Sequence, residues 1–460
     1  MATIASVGSP SGDGVAAPHP HRRGRFHRVH RFRRFSGALA GITAAALVIR
    51  LVYLLGWHHP FSLGGDAYYY SRGANLLVDG HGFPQPYRWF DDGVSTPAAQ
   101  HPPAYLVALA ATSLVGLRSP FAHQLLSCLL GAGTVVVLGL AGRRLAGPAV
   151  GLVAAGFVAV YPNFWFNDAL LMSETLVQLT VATVVLASLR FWQLRTPGTA
   201  VWLGVAVALA ALTHAEMILL GPLIALPLCL LARSVTWRRR VGLLVSAAAA
   251  CVLVLAPWCV YNIVRFEKPV LLTTGLDAAL VVSNCPDTYS GEHKGWWSYP
   301  CFISIPPPPG DESVQGPVYR AVATDFIRAH RAELPGVVAA RVGRLWGVYR
   351  PQQQLVLDTI EQREIPASRA ALGMFYGLVA LSVPGIVLLR RRREPLSPVL
   401  APLVTVTVSA ALIYGTTRFR AGAEDSLVLL AAVGSVGLVQ LARRRRDSPE
   451  RLRERAVPRR

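Results

Sequence analysis

Apolar runs of membrane length, separated by short polar or basic breaks, make up most of this chain. A helix that crosses a bilayer needs roughly 20 mostly apolar residues. Such runs lie at about 37–57, 122–142, 148–166, 173–192, 198–214, 217–232, 241–261, 370–389, 397–414 and 425–442. Only Ala215 and Glu216 separate the two short runs 198–214 and 217–232, which predicts a tight helical hairpin. One further apolar stretch, 103–117, is too short to span comfortably and fits an interfacial or re-entrant helix.

The basic clusters orient the runs. Arg143–Arg144, Arg233 with Arg238–Arg240, Arg390–Arg393 and Arg443–Arg446 all follow apolar runs. Cytoplasmic loops carry the excess of Lys and Arg. Ten spans put every cluster, both termini and the basic N-terminal tail on the cytoplasmic side. Counting 103–117 as an eleventh would move Arg143–Arg144 outside, so that stretch is expected at the outer surface. The predicted fold class is an all-α polytopic membrane protein, with about ten spans plus interfacial helices and both termini cytoplasmic. Residues 1–36 read as a disordered basic tail, 37–442 as the membrane domain and 443–460 as a second basic tail. A cleaved signal peptide at 22–57 is disfavoured by the long tail before it and by an apolar run longer than a usual signal core.

Two outer loops are large, 58–121 and 262–369. In the second, Tyr319, Val322, Ala323, Phe326 and Ile327 recur at helical spacing, as do Val338, Val342, Leu345 and Trp346. These predict helices lying on the membrane or covering a cavity.

Composition narrows the class. The chain is 53% hydrophobic and 15% charged, whereas soluble proteins carry about 25% charged residues. An ordinary soluble enzyme and extensive disorder are both excluded. A net charge of +20 would normally suggest nucleic acid. Here the surplus falls at the cytoplasmic breaks, so it is read as an orientation signal with some attraction to anionic lipid. The expected partners are membrane lipids and not nucleic acid. Cys128, Cys229, Cys251 and Cys259 fall in apolar runs and read as small apolar residues. Cys285 and Cys301 alone lie in an outer loop, where oxidation is permitted, and are predicted to form a disulfide. No zinc motif occurs.

Transporters and pumps place ionisable groups within the membrane. Here Arg50 and Arg190 nearly exhaust them. Asp66, Asp168, Glu174, His214, Glu216, Arg418, Arg420, Glu424 and Asp425 instead sit at outer helix ends. A polar site at that level suits a substrate presented there, such as a lipid-linked one. Asp66, in Ser62-Leu63-Gly64-Gly65-Asp66-Ala67-Tyr68-Tyr69-Tyr70, could take a proton or bind a metal. It could equally be an N-cap. Glu174 opens a span, where the helix dipole favours an acid in any protein. His101-Pro102-Pro103 could be an ordinary turn. Arg418 and Arg420 flank Phe419 and suit a phosphate, or only lipid headgroups. A lipid or glycan flippase or permease, or a non-enzymatic envelope-assembly protein, is compatible with the same residues.

The order of these pieces carries a resemblance. It rests on Gly65-Asp66-Ala67-Tyr68-Tyr69, His101-Pro102-Pro103-Ala104-Tyr105, the Tyr161-Pro162 span end and Leu171-Met172-Ser173-Glu174-Thr175. The last element is Tyr414-Gly415-Thr416-Thr417-Arg418-Phe419-Arg420-Ala421. Together they resemble the polytopic GT-C glycosyltransferases, in the branch of protein O-mannosyltransferases and aminoarabinose-lipid transferases. The match is best up to about residue 235. The resemblance implies an inverting hexosyl- or pentosyltransferase of the cell membrane. Its donor would be a polyprenyl-phosphate-linked sugar, used on the extracytoplasmic side. Asp66 would be the base that deprotonates an acceptor hydroxyl, and Glu174 the second catalytic acid. His101, Arg418 and Arg420 would bind the donor phosphate. Tyr69, Gln100, His214 and Glu216 would lie near substrate. A divalent cation, Mg2+ or Mn2+, could be held by Asp66 and Glu174. Ala67 and Gln100 stand where relatives carry acids, which weakens that cation. Protein, polysaccharide and glycolipid all remain open as acceptors. The loop from Asn284 through Trp296, Trp297 and Cys301 looks like a subgroup feature that shapes the acceptor site.

Overall fold

The computed structural model describes residues 21–57 and 62–455, with side-chain surroundings for 33–57 and 62–444. The remainder of the two basic tails lies outside the described residues. Among the described residues there is no strand, only an isolated bridge between Pro84 and Pro97.

The first half contains α1 (His21–Gly56), α2 (Gly65–Val78), α3 (Pro86–Asp91), α4 (Ala104–Leu114), α5 (Pro120–Ala146), α6 (Pro148–Val160), α7 (Pro162–Ala169), α8 (Glu174–Leu194), α9 (Pro197–Ala211), α10 (Leu220–Leu231) and α11 (Trp237–Arg265). The second outer loop contributes α12 (Gly275–Ser283), α13 (Pro286–Tyr289), α14 (Tyr299–Ile303), α15 (Glu312–Ala329), α16 (Leu334–Leu345) and α17 (Pro351–Leu357). The chain then finishes with α18 (Ile365–Arg391), α19 (Ser397–Leu412) and α20 (Ala421–Arg455). Six helical stretches, in α1, α5, α8, α11, α18 and α20, are long and apolar enough to cross a membrane. The pair α6 and α7, bent by 50°, makes a seventh if counted as one span.

Each of the ten apolar runs is helical, but α9, α10 and α19 are short. The stretch 103–117 forms the short helix α4, which packs against α2 of the first loop. Helix α1 begins at His21, and one expectation changes. The predicted hairpin is looser: a 3-10 turn, Ala215–Leu219, separates α9 from α10, and α10 packs mainly on α19. The two second-loop periodicities form α15 and α16, with Tyr319 and Ala323 buried in the first and Leu345 in the second. Cys285 and Cys301 are disulfide-bonded, and the other four cysteines are free.

Local chemistry explains the breaks that matter for the site. Proline disfavours helical backbone in the residue before it. Tyr161 accordingly turns extended before Pro162, ending α6 and starting α7 in a new direction. Leu171 then takes a left-handed conformation, and α8 begins at Glu174. The acid is thereby placed on a helix N-terminus fixed on both sides. One apolar core joins α1, α5, α6, α7, α18 and α20, and a second joins α9, α10, α11 and α19, with α8 contributing to both. Helices of the two long loops pack on this bundle, α4 on α5 and α16 on α19.

Candidate active site

Four separate parts of the chain meet at one arginine. Arg418 lies in the 3-10 turn Arg418–Arg420 ahead of α20. Its Nη2 donates to Asp66 Oδ2 at 2.6 Å. Its Nε donates to Glu174 Oε1. Its Nη1 lies 3.4 Å from Glu361 Oε1. The guanidinium side chain is only 11% exposed, so these pairs are largely screened from water.

Asp66 occupies the first turn of α2 without capping it: Gly64 is the N-cap and makes no side-chain cap bond. The carboxylate is therefore not an ordinary N-cap. Its second oxygen faces His101 Nε2 at 3.4 Å. His101 stacks edge-on against Tyr69, with ring centroids 5.0 Å apart, and also packs on Tyr70. Burial by itself would raise the Asp66 carboxyl, but the Arg418 guanidinium and then His101 outweigh it and hold the group well below the usual carboxylate range.

Glu174 is almost fully buried. Beside it, Ser173 occupies the N-cap of α8 but makes no cap bond. Its hydroxyl pairs instead with His214 Nε2 at 2.9 Å. His214 Nδ1 is 3.1 Å from Glu216 Oε1, and His214 Nε2 is 3.9 Å from Glu174 Oε1. His214 and Glu216 thus flank the Arg418 network through Glu174.

Gln100 is exposed and takes no part in these bonds. Its neighbourhood is nonetheless clamped. Thr273 Oγ1 donates to the carbonyls of Ala99 and Gln100, Glu312 accepts from the Ala99 N–H at 3.0 Å, and Arg265 donates to the carbonyls of Phe83 and Ala98. These contacts fix the backbone immediately before His101.

Arg420 does not join Arg418. It is buried among core residues, donates to Glu424 at 2.8 Å and lies 3.8 Å over the Phe375 ring. Asp168, expected at an outer helix end, also pairs elsewhere, 2.6 Å from Arg50 of α1.

Glu361 is the site residue that sequence reasoning missed. It ends a 3-10 turn, Asp358–Glu361, whose Asp358 accepts from the Thr417 hydroxyl at 2.6 Å. That bond docks the end of the second outer loop onto the residue before Arg418. Burial raises the Glu361 carboxyl, opposed by Arg418 and then Arg363. No motif surrounds Glu361; an isolated acid in a long loop carries no signal of its own.

Comparison with known proteins now has a geometry to meet. Residues 100–261 match the family described as dolichyl-phosphate-mannose-protein mannosyltransferase. The archaeal oligosaccharyltransferase AglB from Archaeoglobus fulgidus, in complex with an inhibitory peptide and a dolichol-phosphate, superposes with a TM-score of 0.54. The fold is similar to that of this oligosaccharyltransferase. Identity to that AglB chain is 15%, over 92% of this chain and 52% of AglB, so the chain spans about half the length of that relative. A second AglB structure, a complex with Zn and sulfate, gives a TM-score of 0.52 at 14% identity, covering 86% of this chain and 49% of that one. ArnT from Cupriavidus metallidurans bound to undecaprenyl phosphate aligns at 15% identity over 87% of this chain and 78% of its own, with a TM-score of 0.41. No curated protein sequence matches significantly.

A metal between Asp66 and Glu174 would compete with the guanidinium that bridges them. Among the described residues no group of three or more His, Cys, Asp or Glu is arranged to hold a metal ion. As arranged, the Asp66 and Glu174 oxygens that a divalent cation would use are taken by Arg418.

Proposed function

We propose that the protein transfers a sugar from a polyprenyl-phosphate donor to an acceptor hydroxyl at the extracytoplasmic face of the membrane, with inversion. The observation that carries this reading is the Asp66–Arg418 pair at 2.6 Å, a base and a phosphate-binding cation in one network with Glu174 and Glu361. The acceptor O–H gives its proton to Asp66. Its oxygen attacks the anomeric carbon as the bond to the phosphate oxygen breaks. The lipid phosphate leaves as an anion, and a fixed guanidinium is suited to stabilise that charge where it develops. His101 orients Asp66, while Glu174 and Glu361 hold Arg418. Arg420, paired with Glu424, supports the turn that presents Arg418 rather than touching phosphate.

Further support comes from AglB, one structure of which carries a dolichol-phosphate. The ten-span topology with cytoplasmic termini belongs to the same proposal. It puts α2, α4, the Cys285–Cys301 disulfide and the Arg418 turn together on the oxidising side.

The test is transfer of labelled sugar from a panel of polyprenyl-phosphate sugars in membranes holding the full chain. Asp66→Asn should lower the rate about 100-fold or more, the scale of a lost general base. A variant as active as wild type would remove Asp66 from the chemistry. A wild type inert with every donor would remove the enzyme reading.

A further inference from the structure

In the arrangement described, the base and the phosphate-binding cation are bonded to each other, and three of the five guanidinium N–H groups are taken by carboxylates. The phosphodiester of a lipid-linked sugar at Arg418 needs guanidinium N–H groups. A proton-accepting Asp66 needs an oxygen free of a charge-assisted bond. Yet Arg418 Nη2 and Asp66 Oδ2 are bonded to each other at 2.6 Å. The remaining two nitrogens are held by Glu174 and Glu361. One cation therefore serves three carboxylates, and the three differ in access. The Asp66 side chain is 25% exposed, against 1% for Glu174 and 12% for Glu361. An anion arriving from outside meets Asp66 first. If Asp66 lets go, Glu174 and Glu361 still anchor the guanidinium, so Arg418 need not travel. Asp66 keeps His101 3.4 Å from its other oxygen, so it is not released into an unoriented state.

We propose that Arg418 exchanges Asp66 for the anionic phosphodiester of the lipid donor, so that donor binding itself frees the base. This rests on the glycosyltransferase reading above and adds an order to it: donor first, proton transfer second. One anion replaces another on the same cation, and no covalent bond changes. An enzyme without donor then holds its base occupied and leaves acceptor hydroxyls and water untouched.

The exchange makes Asp66 a competitor of the phosphate, and competition is measurable without turnover. Undecaprenyl phosphate, the anion the reaction releases and a probe of the same phosphate site, would be measured for binding to the full chain in nanodiscs for wild type, Asp66→Asn, Arg418→Gln and the double variant. Thermal melting of each would confirm folding. Asp66→Asn should bind about tenfold tighter than wild type, equivalent to one modest ion pair. In the Arg418→Gln background the same substitution should change nothing, because the cation being contested is gone. Equal tightening in both backgrounds would show only the loss of a nearby charge and overturn the exchange. No tightening, or weaker binding by Asp66→Asn, would also overturn it. Inorganic phosphate at the same concentration separates the lipid phosphate from free phosphate; a gain seen with inorganic phosphate alone would overturn the assignment to a lipid donor.

A second readout needs only wild type, in case a variant does not fold. Saturation with undecaprenyl phosphate should raise the reactivity of Asp66 toward a water-soluble carbodiimide several-fold, read by mass spectrometry. Unchanged or lower reactivity would overturn the exchange. If wild type fails to bind undecaprenyl phosphate at all, the exchange and the glycosyltransferase reading fall together. If it binds and Asp66 does not respond, only the exchange falls.

Discussion

Arg418 and Arg420 look equivalent in the sequence and have opposite surroundings in the fold. They lie two apart in a 3-10 turn, which has about three residues per turn, so their side chains point roughly 120° apart. One meets Asp66, Glu174 and Glu361, and the other meets Glu424 and Phe375. Glu361 offers a pH test of this crowding. Burial raises its carboxyl, so ionising it costs the folded state. That cost is present at pH above the folded value and is relieved as pH falls. Glu361→Gln cannot ionise. Its melting temperature relative to wild type should therefore rise between pH 5 and pH 8, and a flat difference would show that Glu361 is not the strained acid. Asp66 has the opposite sign. Its carboxyl is depressed, so its contribution persists above about pH 4, the ordinary carboxylate value, and fades only below it. The melting deficit of Asp66→Asn should accordingly be constant from pH 8 to pH 5. Away from the site, Arg50 and Asp168 are both fully buried. Arg50→Met would strand the Asp168 charge and cost about 3–5 kcal/mol, and adding Asp168→Asn should recover much of the lost melting temperature.

At the scale of elements, the position of the site depends on how closely helices approach. A Cβ on Gly385 of α18 would meet the Leu430 carbonyl at 2.0 Å, and one on Gly434 of α20 would meet that of Leu381 at 2.0 Å. The two backbones touch there, as small residues allow within membranes. Gly434→Leu should force α20 away from α18 and disturb the Arg418 turn at its start. The expected outcome is loss of a cooperative melt or a sharply lower yield of folded protein. Local pattern carried most elements: the apolar runs are helical, although 148–166 is two helices bent by 50°, and both second-loop periodicities are helices. The bend at Tyr161-Pro162 falls inside the run 148–166, read as one span, and only the structure shows it, with proline sterics as the cause. Local pattern also misjudged the join between α9 and α10. Its 3-10 turn carries Glu216 and follows His214, and its geometry is set by packing on α19.

Across the whole molecule, the test is sidedness. Single cysteines introduced at 311 and 392 should react with an impermeant reagent from opposite sides of the membrane. Both reacting from one side would refute the ten-span topology, in which the short helices α9, α10 and α19 each cross. The sequence alone determined the class of molecule, because membrane insertion depends on hydrophobicity summed over about 20 residues and orientation on charge between the runs. It also supplied Asp66, His101, Glu174 and Arg418 as separate candidates, since each stands out locally as a polar group at an apolar helix end. Only the tertiary structure decided that these four converge, that Glu361 joins them and that Arg420 does not. Residues 66, 174, 361 and 418 are brought together by packing among α2, α8, the end of the second loop and the turn before α20. Contacts at that separation leave no periodicity in the chain, because they depend on how helices cross rather than on which residues are neighbours.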